Sequence, residues 1–195
     1  DRVCSYPAFT ALFDEKSDEL TTMVVLADKE EIGSEGTTGM QCAVFLDLID
    51  EIAASFGVSS AAVRANSKCL SADVNAAFDP NFKGVSEPLS SAYVSCGAGI
   101  TKFTGARGKS SSNDADAEFL GFLRRIFDEN GVIWQTGEMG KVDEGGGGTV
   151  AKYIAKANID TIDIGVPVIS MHSPFELVSK ADVYEVYLAF RAFLK

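Results

Sequence analysis

Apolar positions change their period repeatedly along this chain, and the changes mark out helices laid against a sheet. Val3 to Asp14 carries helical spacing. Thr21 to Ala27 holds the run Met23, Val24, Val25 and Leu26 between polar flanks, which predicts a short buried strand. Past a glycine-rich turn, Met40, Ala43, Val44, Ile52, Ala53 and Phe56 recur at helical intervals until Gly57, so a long core helix is expected there. A short helix over Ser59 to Ala65 follows, then a strand through Cys69, Leu70 and Ser71 that ends at Asp73. Ser91 to Ser95 and Ile100 to Phe103 predict strands flanking Gly97 and Gly99. Asn113 and Asp114 are placed to cap a helix whose Phe119, Phe122, Leu123, Ile126 and Phe127 form one apolar stripe. Val132 to Gln135 reads as a strand, Gly145 to Gly148 as a loop leading into a helix from Thr149, and Ile159 to Ile164 and Val166 to Ser170 as extended segments. The last helix is expected to begin near Asp182 and to bury Val183, Val186, Tyr187, Phe190 and Leu194. No segment repeats.

With 195 residues, 46% of them apolar, one sizeable core is affordable and a single α/β domain is the expectation. No stretch approaches the roughly 18 to 20 apolar residues of a membrane helix, so no membrane partner is expected. The net charge of −11 argues against a nucleic-acid groove, because phosphate binding needs clustered cations. Cys4, Cys42, Cys69 and Cys96 are too scattered for a zinc ribbon or a disulfide scaffold, and read as reduced, packed thiols of a cytoplasmic protein. The chain opens at Asp1, without methionine and in mid-motif, which reads as a piece of a longer protein.

Candidate chemistry gathers at three places. Glu30 and Glu31 stand in Asp28-Lys29-Glu30-Glu31-Ile32-Gly33-Ser34, just after the expected strand, where open α/β sheets build their sites. On extended backbone, adjacent side chains point in opposite directions. One carboxylate can then hold a metal while its neighbour takes a proton from water, although a solvated acidic turn is the commoner meaning of two glutamates. Asp73 closes Ser71-Ala72-Asp73, where a carboxylate can serve a metal or cap a helix. His172, the one histidine, stands in Met171-His172-Ser173; a lone histidine is more often structural, yet zinc sites mix imidazole with carboxylate oxygen.

In order and spacing, Glu30-Glu31-Ile32-Gly33-Ser34, Ser71-Ala72-Asp73 and Met171-His172-Ser173 resemble the signatures of the aspartyl aminopeptidases, and the likeness runs from Asp1 to the final helix. The resemblance implies a three-layer α/β/α sandwich around a mixed sheet, with residues 1–195 as the C-terminal portion of one catalytic domain. An upstream His-x-Asp segment and an inserted domain of that family have no counterpart here. It further implies that Glu30 is the general base, that Glu31 and His172 hold one divalent ion, and that Asp73 holds a second. Zinc is the expected metal, with cobalt or manganese as alternatives. The family's bridging aspartate falls one position before Asp1 in the ungapped register, and on Asp1 itself if the register shifts by one. With that ligand and the upstream histidine outside the 195 residues, the piece is expected to bind metal incompletely. Gly146, Gly147 and Gly148 would wall the active site, and Lys102 or Lys109 would meet an acidic substrate group. The implied activity is removal of N-terminal Asp or Glu from peptides by a homo-oligomer. Competing readings are a glutamyl or leucyl peptidase of the same core, an inactive scaffold, and a glycosidase, whose carboxyl groups must stand farther apart than adjacent residues allow.

Overall fold

The carboxylate of Asp1 accepts the Cys4 N–H at 3.0 Å and so starts α1 (Arg2–Asp14) in the computed structural model, which describes residues 1–195. After α1 come α2 (Val44–Ser55), α3 (Ser60–Ala65), β1 (Lys68–Ala72) and β2 (Asn75–Ala76). The middle holds β3 (Ala98–Thr101), β4 (Phe103–Ala106), β5 (Ser110–Asp114), α4 (Ala117–Glu129) and β6 (Trp134–Thr136). The last third is α5 (Ala151–Ala155), β7 (Asp160–Gly165), β8 (Pro167–Ile169), β9 (Leu177–Val178) and α6 (Lys180–Leu194).

The main sheet runs β1-β7-β3-β6, with β1 and β6 parallel to their neighbours and β3 antiparallel to β7, so it is mixed as expected. Helices α1, α4 and α6 cover one face. Their Phe119, Leu123, Phe127, Val186 and Phe190 pack with Ile100, Ile162 and Ile164 of the sheet in the main core. A smaller cluster of Met40, Ile49, Ile154 and Ile159 joins α2 and α5 on the other face, which makes three layers.

Several expected elements differ, each for a local reason. Thr21 to Ala27 forms no strand: Met23, Val25 and Leu26 are 36%, 45% and 61% exposed, and the one ladder contact nearby is the bridge Asp28 to Gly39. Apolarity alone does not make a strand when no neighbouring backbone offers partners. Ser91 to Ser95 likewise keeps only a bridge from Ala92 to Ala77, because the Tyr93 N–H is taken by the Gln135 side chain at 2.7 Å. The long helix begins at Val44 rather than Met40. Asn113 and Asp114 belong to the β4–β5 hairpin, and Asp116 caps α4 by accepting the Glu118 and Phe119 N–H groups. The last helix begins at Lys180, close to the expected start, with Asp182 in its first turn. The buried Asp182 carboxylate accepts Ser95 N at 2.7 Å and Gly97 N at 2.8 Å, tying the helix to the start of β3.

Candidate metal centre

Glu30 and Glu31 share a single 3-10 turn, Glu30–Ile32, entered through Lys29 at φ 63° and left through Gly33 at φ 86°. The backbone there is therefore not extended, as the sequence led us to expect. In a helix of three residues per turn, successive side chains fan out by about 120° instead of 180°, so the two carboxylates still diverge. The turn is braced from outside: Gln41 Nε2 donates to the Gly33 carbonyl at 2.7 Å, and the Tyr153 hydroxyl reaches the same oxygen at 3.1 Å.

Asp73 follows the last residue of β1, its Oδ1 accepting the Val74 N–H at 2.8 Å. It can sit there because residue 165 is glycine: a Cβ on Gly165 would lie 1.5 Å from the Asp73 carbonyl oxygen and 3.0 Å from Cys4 Sγ. Gly165→Ala is therefore expected to push the end of β1 out of place. A loss of about 1–3 kcal/mol in denaturant unfolding, with a matching fall in metal content of the complete protein, is the outcome to look for.

His172 follows β8 at φ 65°, a left-handed conformation uncommon outside glycine, and its N–H donates to Glu176 Oε1 at 2.6 Å. Its Nδ1 stands 3.7 Å from Glu31 Oε1, and the two side chains are 64% and 72% exposed.

The charges of these groups act on one another. Burial lifts the Glu30 carboxyl above its ordinary range and neighbouring Glu31 adds to the lift, against which the chain's amino terminus, His172 and Lys152 pull down. Burial likewise lifts Asp73; the Val74 N–H opposes it, Glu30 and Glu31 add to it, and the amino terminus counters. Glu30, Glu31, Asp73 and His172, distant in sequence, thus occupy one neighbourhood. The amino terminus of Asp1 faces them, while the Asp1 carboxylate is spent on capping α1.

Sequence reasoning missed Asp163, which pairs in register with Ser71 across β1 and β7. Neither of its carboxylate oxygens has a hydrogen-bond partner, and Ser71 Oγ and Thr149 Oγ1 beside it are also unpaired. Burial pushes this carboxyl up to about 7; the Ser71 and Thr149 hydroxyls, near it without reaching hydrogen-bond geometry, offset part of that rise, and Asp73 and Glu30 add to it. An ionisable residue amid Thr161, Ile162 and Ile164 was the available signal. Between the unfolded and folded pKa the folded state holds the extra proton, so this group's contribution to stability is present below the ordinary carboxyl range and is lost as pH rises towards 7. Asp163→Asn is expected to flatten the fall in stability of the metal-free chain between about pH 4 and pH 7, as read from denaturant midpoints.

No three His, Cys, Asp or Glu side chains close to the spacing of a metal cage. In kind, however, the donors suit a divalent ion such as zinc: carboxylates and an imidazole, with like charges facing one another that a cation would relieve. A cavity of about 1000 Å³ adjoins them, lined by Glu30, Glu31 and Asp73 at one side and by Met23, Leu26 and Phe45 at another. Lys102 is ion-paired with Asp114, and Lys109 with Asp143 at 2.8 Å, both at the surface, where such pairs are weak and readily exchanged. The glycine loop leans on the β4–β5 hairpin through Arg107 N to Gly145 O at 2.7 Å. Gly146 takes φ 88°, and a Cβ on Gly147 would meet nothing within 4 Å.

A family model described as aminopeptidase I zinc metalloprotease (M18) matches residues 1–194. A probable M18 family aminopeptidase 1 of Thermotoga maritima is 42% identical over 200 residues, covering 100% of this chain and 44% of that protein. The crystal structure of aminopeptidase I from Clostridium acetobutylicum superposes with a TM-score of 0.94 at 45% identity, over 100% of this chain and 42% of that one. The yeast mApe1 dodecamer gives a TM-score of 0.79 at 25% identity, covering 99% and 43% of the two chains. The chain thus spans less than half the length of the relatives it matches.

Proposed function

This chain belongs to the aminopeptidase I zinc metalloprotease (M18) family, and from that premise we propose that the complete protein is a metal-dependent aminopeptidase that removes N-terminal residues, acidic ones by preference, from peptides. The observation that carries the reading is the meeting of Glu30, Glu31, Asp73 and His172 from three distant segments, with Glu31 and His172 3.7 Å apart. Glu31 and His172 would hold one divalent ion and Asp73 a second. The N-cap role of Asp1 favours the register in which it is the neighbour of a bridging carboxylate rather than the bridge itself.

Bound there, the metal supplies Lewis-acid polarisation of the scissile carbonyl and a lowered water pKa. Glu30 takes the proton of the attacking water on its carboxylate and delivers it to the departing amine. Its burial beside Glu31 raises its basicity above that of an ordinary glutamate, which suits a general base. The glycines of 145–148 leave the substrate backbone room beside the site. As in the yeast dodecamer, the working form is a homo-oligomer. We place it in a reducing cytoplasm, consistent with four unpaired cysteines, two of which, Cys4 and Cys69, have thiols that burial pushes up to about 12.

Metal analysis of the complete protein, with kcat/KM for substrates bearing Asp, Glu, Leu or Lys at the amino end, tests the reading. Bound zinc with the highest value on Asp or Glu is the expected result. A Leu preference would keep the peptidase and discard the acid specificity, whereas a metal-free protein inert on all four would discard both.

A further inference from the structure

A buried carboxylate needs partners, because desolvation makes an unpaired charge costly. Asp182 has them: one of its oxygens accepts Ser95 N and the other Gly97 N. Asp160, three residues before Asp163 on β7, stays exposed and pairs with Lys68 at 3.1 Å. Asp163 has neither remedy. It is 4% exposed, takes part in none of the chain's ion pairs, and no hydrogen bond reaches either of its oxygens. Ser71 and Thr149, each 2% exposed, place two more unpartnered oxygens beside it. Four of the six buried side-chain atoms without a partner thus gather at one point instead of scattering through the fold. Ser71 stands opposite Asp163 in the β1–β7 register, and residues two apart on a strand share a face, so both look with Cys69 towards α5, just ahead of which lies Thr149. Ser71 also lines the large cavity, which gives a small ion a way in.

We propose that Asp163, Ser71 and Thr149 bind a monovalent alkali cation, sodium or potassium, within the sheet and separate from the donors Glu31, Asp73 and His172. The donor atoms are two carboxylate and two hydroxyl oxygens, which suit a hard cation and offer zinc neither nitrogen nor sulfur. One carboxylate carries one negative charge, so a singly charged ion leaves the buried site neutral, whereas a divalent ion leaves a positive charge in a medium of low dielectric. Each hydroxyl could donate a single proton to Asp163 and neither stands in the geometry to do so; a cation uses all four oxygens at once. Its charge also offsets the repulsion that Asp73 and Glu30 exert on Asp163. The site does not depend on the aminopeptidase reading.

The test takes the complete, metal-loaded protein in choline chloride and replaces choline stepwise by sodium or by potassium at constant ionic strength, with the thermal midpoint as readout. A rise that saturates with one of the two ions is expected, since an ion bound only by the folded state stabilises it, and the ion that gives the rise identifies the ligand. Asp163→Asn should abolish the rise. Thr149→Val and Ser71→Ala should move it to higher ion concentration, and Asp160→Asn, which alters an exposed acid of the same strand, should leave it in place. Crystals of the unmodified protein grown in the responding ion should show a density peak in contact with the four oxygens that is missing from crystals grown in choline chloride. The absence of an ion-specific rise, a rise that survives in Asp163→Asn, or a peak equally present in choline chloride, which is then an ordinary water, overturns the assignment. Because the crystals need no variant, the question is decided even if Asp163→Asn fails to fold, and neither readout involves peptidase activity.

Discussion

Glu30→Gln is expected to lower kcat of the complete protein by about 100- to 10,000-fold, the usual contribution of a positioned general base, with metal content near that of the unmodified protein. Glutamine keeps the shape of the side chain and loses the proton acceptor. It also removes a negative charge that raises the Asp73 carboxyl, so Asp73 should ionise more readily in the variant and remain a competent ligand. The unmodified enzyme's rate should rise with pH through the Glu30 titration, which burial and Glu31 place above the ordinary glutamate range. In Glu30→Gln that limb should vanish from whatever activity remains. Metal content by elemental analysis and a pH–rate profile read both halves of the expectation.

His172→Ala should act the other way, through loss of metal. Removing a group that only orients a ligand costs about 10- to 100-fold in metal affinity, so deleting the imidazole itself should cost at least the upper end of that range. Activity should then return partly when zinc is added in excess, as it would not for Glu30→Gln. Glu31→Ala is expected to behave like His172→Ala, since the two side chains face one another. Because ligands must be deprotonated to bind, and Asp73 titrates above an ordinary aspartate, metal should also be released at a higher pH than unperturbed carboxylates would allow. If Glu30→Gln, Glu31→Ala and His172→Ala all lost metal equally, the division between base and ligands would be wrong.

Much of the fold follows from local pattern. The Phe119, Leu123 and Phe127 stripe specified α4 because residues at helical spacing share one face whatever lies around them, and those three are buried in the main core. The mixed sheet between two helical layers was likewise legible from alternating periodicity and from the motif resemblance. Thr21 to Ala27 misled for the same reason in reverse. A run of Met23, Val24, Val25 and Leu26 has the composition of a buried strand, but strand formation requires a second backbone in register, and a one-dimensional pattern holds no information about whether it is present. The β4–β5 hairpin was missed because Ser110, Ser111 and Ser112 carry no apolar alternation.

The site divides along the same line. The residues offered Glu30, Glu31, Asp73 and His172 as candidates, each with a commoner structural meaning, and the order and spacing shared with a known family singled them out. Only the folded arrangement brought those four together, tied Lys102 to Asp114, spent the Asp1 carboxylate on a helix cap, and exposed Asp163 and Lys152 as members of the same neighbourhood. The cause is that Coulomb energy and desolvation depend on distance and burial in three dimensions. Which charge answers which is therefore decided by packing between segments more than a hundred residues apart, and no local pattern can encode it.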